Sequence, residues 1–137
     1  MTLLRPAALG PSVIACNTCR HSADAHEDEE GVRGGARLVD ALRTVQATNP
    51  RYAAIAIDEM PCLFACAEHC TVHLRAPGKI GYVLGRFRPD MDAARAILDY
   101  ALAHADSTEG SVPYRAWPEG VKGHFIVRTP PEGFVAS

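Results

Sequence analysis

Ser12-Val13-Ile14-Ala15-Cys16-Asn17-Thr18-Cys19 is the stretch on which the fold turns. A short apolar run that ends on a cysteine and gives way to polar residues reads as a buried strand, Ser12 to Ala15, with Cys16 at its exit. Downstream, Leu38, Ala41, Leu42 and Val45 recur at spacings of three and four, which predicts a helix over Ala36 to Thr48 that stops before Asn49-Pro50. Tyr52 to Ile57 alternates around Ala53, Ile55 and Ile57 between Pro50 and Pro61 and reads as a second strand. Strand, helix and strand in that order make a right-handed crossover between parallel neighbours. Between the first strand and the helix, Arg20 to Gly35 holds Asp24, Glu27, Asp28, Glu29 and Glu30 and reads as a long acidic loop.

Farther out, Thr71 to Arg75 and Ile80 to Phe87 alternate on either side of Ala76-Pro77-Gly78-Lys79, whose turn chemistry makes them a hairpin. Met91, Ala94, Ile97, Leu98, Ala101 and Ala105 line one face of a helix over Asp90 to Ala105, with Asp90 or Asp92 at its positive end. The order βαβββα predicts an α/β, thioredoxin-like layout, a mixed four-stranded sheet with two main helices packed on it. Residues 1–11 read as a flexible N-terminus and 12–105 as the domain. The tail, 106–137, reads as a short irregular extension packed on that domain. Pro113, Pro118, Pro130 and Pro131 punctuate it, a short helix is expected near Glu119 to Val127, and Trp117 is expected to pin it down.

Composition narrows the function classes. With 137 residues, 47% of them hydrophobic, the chain can bury one core. Its 14 basic and 16 acidic residues leave a net charge of −2, which gives no general attraction for nucleic acid. Apolar runs fall well short of the ~20 residues that cross a bilayer, and Met1 to Gly10 has no signal-peptide core. A soluble, cytoplasmic protein with no membrane or nucleic-acid partner is therefore expected. Paired carboxylates, a Ser-His-Asp set and a phosphate-binding glycine loop are not legible, so the chain does not read as a substrate-transforming enzyme.

The five cysteines are grouped: Cys16-x2-Cys19, then Cys62-x3-Cys66-x3-Cys70. In a reducing compartment, grouped cysteines read as ligands or redox thiols rather than disulfides. Each group follows a predicted strand, and parallel neighbours end at the same edge of a sheet, so two remote groups can meet around one metal centre. Four thiolates are what a 2Fe-2S cluster needs. His21 and His69 read as loop residues beside that centre.

Met60-Pro61-Cys62-Leu63-Phe64-Ala65-Cys66, followed by the hairpin and by Gly85-Arg86-Phe87-Arg88-Pro89-Asp90 opening a helix, resembles the thioredoxin-like 2Fe-2S ferredoxins and the related small iron-sulfur subunit of NADH dehydrogenases and hydrogenases. More closely, Cys16-Asn17-Thr18-Cys19-Arg20, the Cys62 to Cys66 run, Cys70, Leu74-Arg75-Ala76-Pro77-Gly78-Lys79 and Ala105-Asp106-Ser107 with Gly110 resemble an uncharacterised bacterial family of predicted metal-binding proteins, from about Val13 to Pro131. The resemblance implies Cys16, Cys19, Cys62 and Cys66 as ligands of a 2Fe-2S cluster, with Cys70 surplus or an alternative ligand. It implies one-electron transfer to or from a redox partner protein and a homodimer like those of the ferredoxins. Gene neighbourhoods of the closer family add service to a cobalamin or cobalt step. Two other chemistries suit the same residues: a structural zinc held by the same cysteines, as an interaction module, and a dithiol oxidoreductase using Cys16 and Cys19. Against the last, a redox dithiol opens directly into a helix, and here the acidic loop intervenes.

Overall fold

The computed structural model describes residues 3–137, apart from the Cys66 side chain. Residues 1 and 2 of the N-terminal stretch lie outside the described residues; Leu3, Leu4 and Leu9 are exposed. Five strands form one mixed sheet in the order β2-β1-β3-β4-β5, with β1 Ser12–Cys16, β2 Ala56–Met60, β3 Val72–Arg75, β4 Gly81–Leu84 and β5 Phe125–Thr129. Only β1 and β2 run parallel; the other neighbours are antiparallel. Helices α1 (Gly34–Thr48) and α2 (Met91–Asp106) touch each other and β1. The thioredoxin-like α/β layout is as expected.

The apolar stripes explain the packing. Leu38, Leu42 and Val45 of α1 and Ala94, Ile97, Leu98 and Ala101 of α2 are buried with Val13, Ala15, Val72, Leu74 and Leu84 of the sheet. The Asp90 carboxylate accepts the Ala93 N–H at 2.9 Å and caps α2, while Lys79 Nζ donates to the Ala105 and His104 carbonyls at its other end. His104 lies in the last turn of that helix. Burial lowers its pKa, and the neutral ring donates Nε2–H to the Ile80 carbonyl at 2.6 Å.

Two elements depart from expectation. The second strand starts at Ala56 rather than Tyr52, because Pro50 opens a short 3-10 turn, Pro50–Tyr52, that buries the Tyr52 ring. The strand runs on through Asp58 and Glu59, polar residues that an edge strand tolerates. In the tail, helix is confined to 3-10 turns at Tyr114–Ala116 and Glu119–Val121; Phe125–Thr129 is a fifth strand, which replaces the expected four-stranded sheet by five. The β-branched Ile126 and Val127 beside Phe125 suit strand geometry, and the open edge of β4 supplies the hydrogen bonds. Trp117 does pin the tail: its ring meets Tyr100 of α2 edge-on with centroids 6.0 Å apart, while its Nε1–H donates to the Val112 carbonyl at 2.8 Å.

The acidic loop carries no helix or strand of its own, but it is organised. Asp28 Oδ1 accepts the N–H groups of Glu30 and Val32 at 2.9 Å each, and Oδ2 accepts Arg37 Nε at 2.7 Å. The Val32 amide first, then Arg37, holds the Asp28 carboxyl at about 2. A depressed carboxyl stabilises the fold fully above its unfolded value near 3.8 and loses that contribution as pH falls toward 2. An NMR acid titration should accordingly show the Val32 amide resonance moving below pH 4, with that movement abolished in Asp28→Asn; an unmoved resonance in the native protein would contradict the bond.

No helix is long and apolar enough to cross a membrane among the described residues.

Candidate metal centre

Cys16 is the last residue of β1 and lies opposite Met60, the last of β2. The pairing continues one step beyond the strands, where Asn17 N–H donates to the Met60 carbonyl at 3.1 Å and Asn17 Nδ2 to Glu59 Oε1 at 3.0 Å. The two cysteine loops thus leave the sheet side by side. They also touch: the Cys70 thiol donates to the Arg20 carbonyl at 3.6 Å, and the Leu63 amide, next to Cys62, lies near enough to Cys16 Sγ to help lower its pKa. Cys16 and Cys19 share a hydrogen bond, and both are buried, at 1% and 3% exposure. That bond, then the Thr18 hydroxyl and the Thr18 and Leu63 amides, outweigh burial and draw the Cys16 thiol down to about 4. Cys19, the donor of the pair, is pushed up by the same bond and by burial. Cys19 Sγ in turn meets the Thr71 hydroxyl at 3.1 Å and accepts the Thr71 N–H at 3.4 Å.

The acidic loop intervenes along the chain between this pair and α1, as expected from sequence. It bulges outward and returns, so that α1 begins against the pair: Gly35 N–H donates to the Cys19 carbonyl at 3.1 Å. A Cβ on Gly35 would stand 1.8 Å from the Cys16 carbonyl oxygen, and one on Gly34 2.5 Å from the Arg20 carbonyl oxygen. Only glycine admits this approach. It sets the positive end of α1, which carries no acidic residue in its first turn, against the backbone of the Cys16 to Arg20 turn.

The second loop is strained. Cys62, Phe64 and Cys70 all have positive φ, 81°, 59° and 49°. Left-handed backbone at non-glycine residues costs on the order of 1–3 kcal/mol each and gathers at functional sites. Here it turns the Phe64 N–H onto Cys62 Sγ at 3.3 Å. Arg86, also at positive φ, ties the loop down: its N–H donates to the Glu68 and His69 carbonyls and its guanidinium to Glu68 Oε2 at 2.6 Å and the Gly123 carbonyl at 2.7 Å. Cys66 opens the 3-10 turn Cys66–Glu68, and its side chain lies outside the described residues. Cys70 is fully buried and directs its thiol to the Arg20 carbonyl at 3.6 Å; burial first, then the Cys16 charge, pushes it up to about 12.

Among the described residues no three Cys, His, Asp or Glu side chains are close enough to hold one metal ion. What the fold brings together is the Cys16–Cys19 pair and the loop that carries Cys62. Three buried nitrogens near these loops, Arg20 Nε, His21 Nδ1 and His69 Nδ1, have no hydrogen-bond partner. Thr18, Thr71, Gly35 and the Leu63 amide escaped sequence reading; the Gly34-Gly35 pair at the head of a helical stripe was the legible signal. A cavity of about 450 Å³ lined by Ile80, Arg128 and Phe134 belongs to the hairpin end of the sheet, away from the cysteines.

Two solved structures share the fold. The chain is similar to a thioredoxin-like [2Fe-2S] ferredoxin from Aquifex aeolicus at a TM-score of 0.55 and 19% identity, over 93% of this chain and 100% of that one. It is similar to a second structure, the wild-type thioredoxin-like [2Fe-2S] ferredoxin of the same organism, at a TM-score of 0.50 and 21% identity, over 69% of this chain and 87% of that one. The fold is therefore thioredoxin-like. Residues 13–131 match the family described as protein of unknown function DUF1636, and the chain belongs to that family. No curated protein matches it.

Proposed function

We propose that this chain is a one-electron carrier that holds a 2Fe-2S cluster through Cys16, Cys19, Cys62 and Cys66. The observation that carries the reading is the meeting of two segments remote in sequence: Asn17 N–H donates to the Met60 carbonyl at 3.1 Å where β1 and β2 end, and the Cys70 thiol donates to the Arg20 carbonyl at 3.6 Å. The donor set suits the group. N–H groups of Phe64 and Thr71 point at cysteine sulfurs, as they do around anionic iron-sulfur centres, whose potential such bonds tune. The Arg20 Nε–H is a buried donor without an acceptor, and the unpartnered Nδ1 atoms of His21 and His69 lie in the same two loops. Cys70, already bonded to the Arg20 carbonyl, is the surplus thiol.

When bound, such a cluster supplies a couple between two ferric ions and a ferric-ferrous pair. The chain's own residues hold, shield and tune it. Cys16 and Cys19 are too deeply buried for disulfide exchange, which needs an accessible attacking sulfur. Phe64, 96% exposed at the tip between Cys62 and Cys66, offers an apolar contact to an approaching redox partner. Protein purified without oxygen should be coloured and contain about two irons and two sulfides per chain, with the colour bleached by dithionite. A colourless chain with one zinc would replace the carrier by a structural metal module.

A further inference from the structure

We propose that Thr71 sets the reduction potential of the centre by holding the Cys19 sulfur with two hydrogen bonds, an inference that rests on the electron-carrier reading above. Thr71 precedes β3 and is 1% exposed. Its N–H donates to Cys19 Sγ at 3.4 Å, its hydroxyl oxygen lies 3.1 Å from the same sulfur, and its carbonyl accepts the Cys16 N–H at 3.0 Å. One buried residue thus grips both cysteines of the first pair.

In a free thiol either atom of the Thr71–Cys19 contact can donate. A metal-bound cysteine has no S–H, so the hydroxyl must then be the donor. The side chain has little freedom to turn away. Its Cγ2 methyl is packed so closely on Gly85 that a Cβ there would stand 2.9 Å from it. The Thr18 hydroxyl, at 3.7 Å from Cys16 Sγ, is a longer and weaker counterpart.

The direction of the effect follows from charge. Hydrogen bonds to an ionised acceptor strengthen as its negative charge grows. A single electron comes from a one-electron reductant, such as a reduced flavoprotein, and passes to a one-electron acceptor. No bond breaks, and the hydroxyl proton stays on Thr71. The extra negative charge in the reduced state is shared with the ligand sulfurs, so both Thr71 bonds favour that state and raise the potential.

The test compares Thr71→Val, which keeps the buried volume and loses the donor, with Thr71→Ser, which loses the methyl and keeps the donor. Iron content is measured first and the midpoint potential next, in a dye-mediated titration with dithionite. Thr71→Val should keep its iron and show a roughly tenfold smaller equilibrium constant for reduction, about 59 mV for one electron. Thr71→Ser should stay near the native potential even where its urea midpoint falls. An unchanged potential in Thr71→Val, or an equal drop in Thr71→Ser, overturns the assignment. Should Thr71→Val take up no iron, electron–nuclear double resonance on the reduced native protein decides: a coupled exchangeable hydroxyl proton upholds it and its absence overturns it. A native chain that takes up no iron overturns the carrier reading itself, and this inference with it.

Discussion

Gly35→Ala should cost on the order of 3–5 kcal/mol of folding stability, seen as a lower urea midpoint. Helix propensity alone argues the other way, since alanine for glycine in a helix gains up to about 1 kcal/mol. Geometry decides against propensity. The new methyl carbon would stand 1.8 Å from the Cys16 carbonyl oxygen and 2.9 Å from the carbonyl carbon, and both atoms belong to the end of a buried strand. Relief requires α1 to withdraw from β1 along a face that buries Leu38 and Leu42. Overpacking of side chains costs about 1–3 kcal/mol, and a clash on backbone has fewer ways to relax. The same withdrawal would take the positive helix end and the Gly35–Cys19 bond away from the site, so any bound iron should fall as well. Gly31→Asn is the control, because nothing lies within 4 Å of that position and asparagine tolerates its φ of +79°. A Gly35→Ala protein as stable as the native one would mean that α1 does not return to the cysteine pair.

Replacing Cys16 and Cys19 together by alanine should abolish iron binding even though the Cys62 to Cys70 loop is untouched. A cluster with two irons needs two thiolates on each, and one loop supplies too few in the right place. The effect should be close to total because the pair also anchors its surroundings: Thr71 bonds Cys19, and the Leu63 amide lies near Cys16. Cys70→Ala should retain the native iron content, since its thiol is engaged with the Arg20 carbonyl. Iron and sulfide analysis of both variants checks the pair of outcomes. Iron lost with Cys70 and kept without Cys16 and Cys19 would move the site into the second loop.

Much of this was legible in the residues because period and residue type report directly on burial and chemistry. Leu38, Leu42 and Val45 at helical spacing are core residues, and the run Ser12–Cys16 is buried along its length. The cysteine spacing suggested that two remote groups meet, and β1 and β2 do end side by side at Cys16 and Met60. Other features depend on tertiary partners that local sequence does not display. The alternation of Ala53, Ile55 and Ile57 mimicked a strand, yet Tyr52 is held in a turn where its hydroxyl donates to Asp99 on α2. The β5 strand needs the free edge of β4, which a list of apolar runs does not contain. The polar loop looked like a barrier between the cysteines and α1, and its outward fold depends on Asp28 closing it through Val32 and Arg37. Thr71 read as an ordinary β-branched strand residue; its role depends on which sulfur faces it.

We propose that sulfurs from two separated segments share one redox-active iron centre. The most direct test is the electron paramagnetic resonance spectrum of the dithionite-reduced protein, with the spin counted. One unpaired electron per chain, absent before reduction and absent from the Cys16→Ala/Cys19→Ala variant, is the predicted result. A reduced native chain with no spin and a single bound zinc, or a full signal in the double variant, would contradict it.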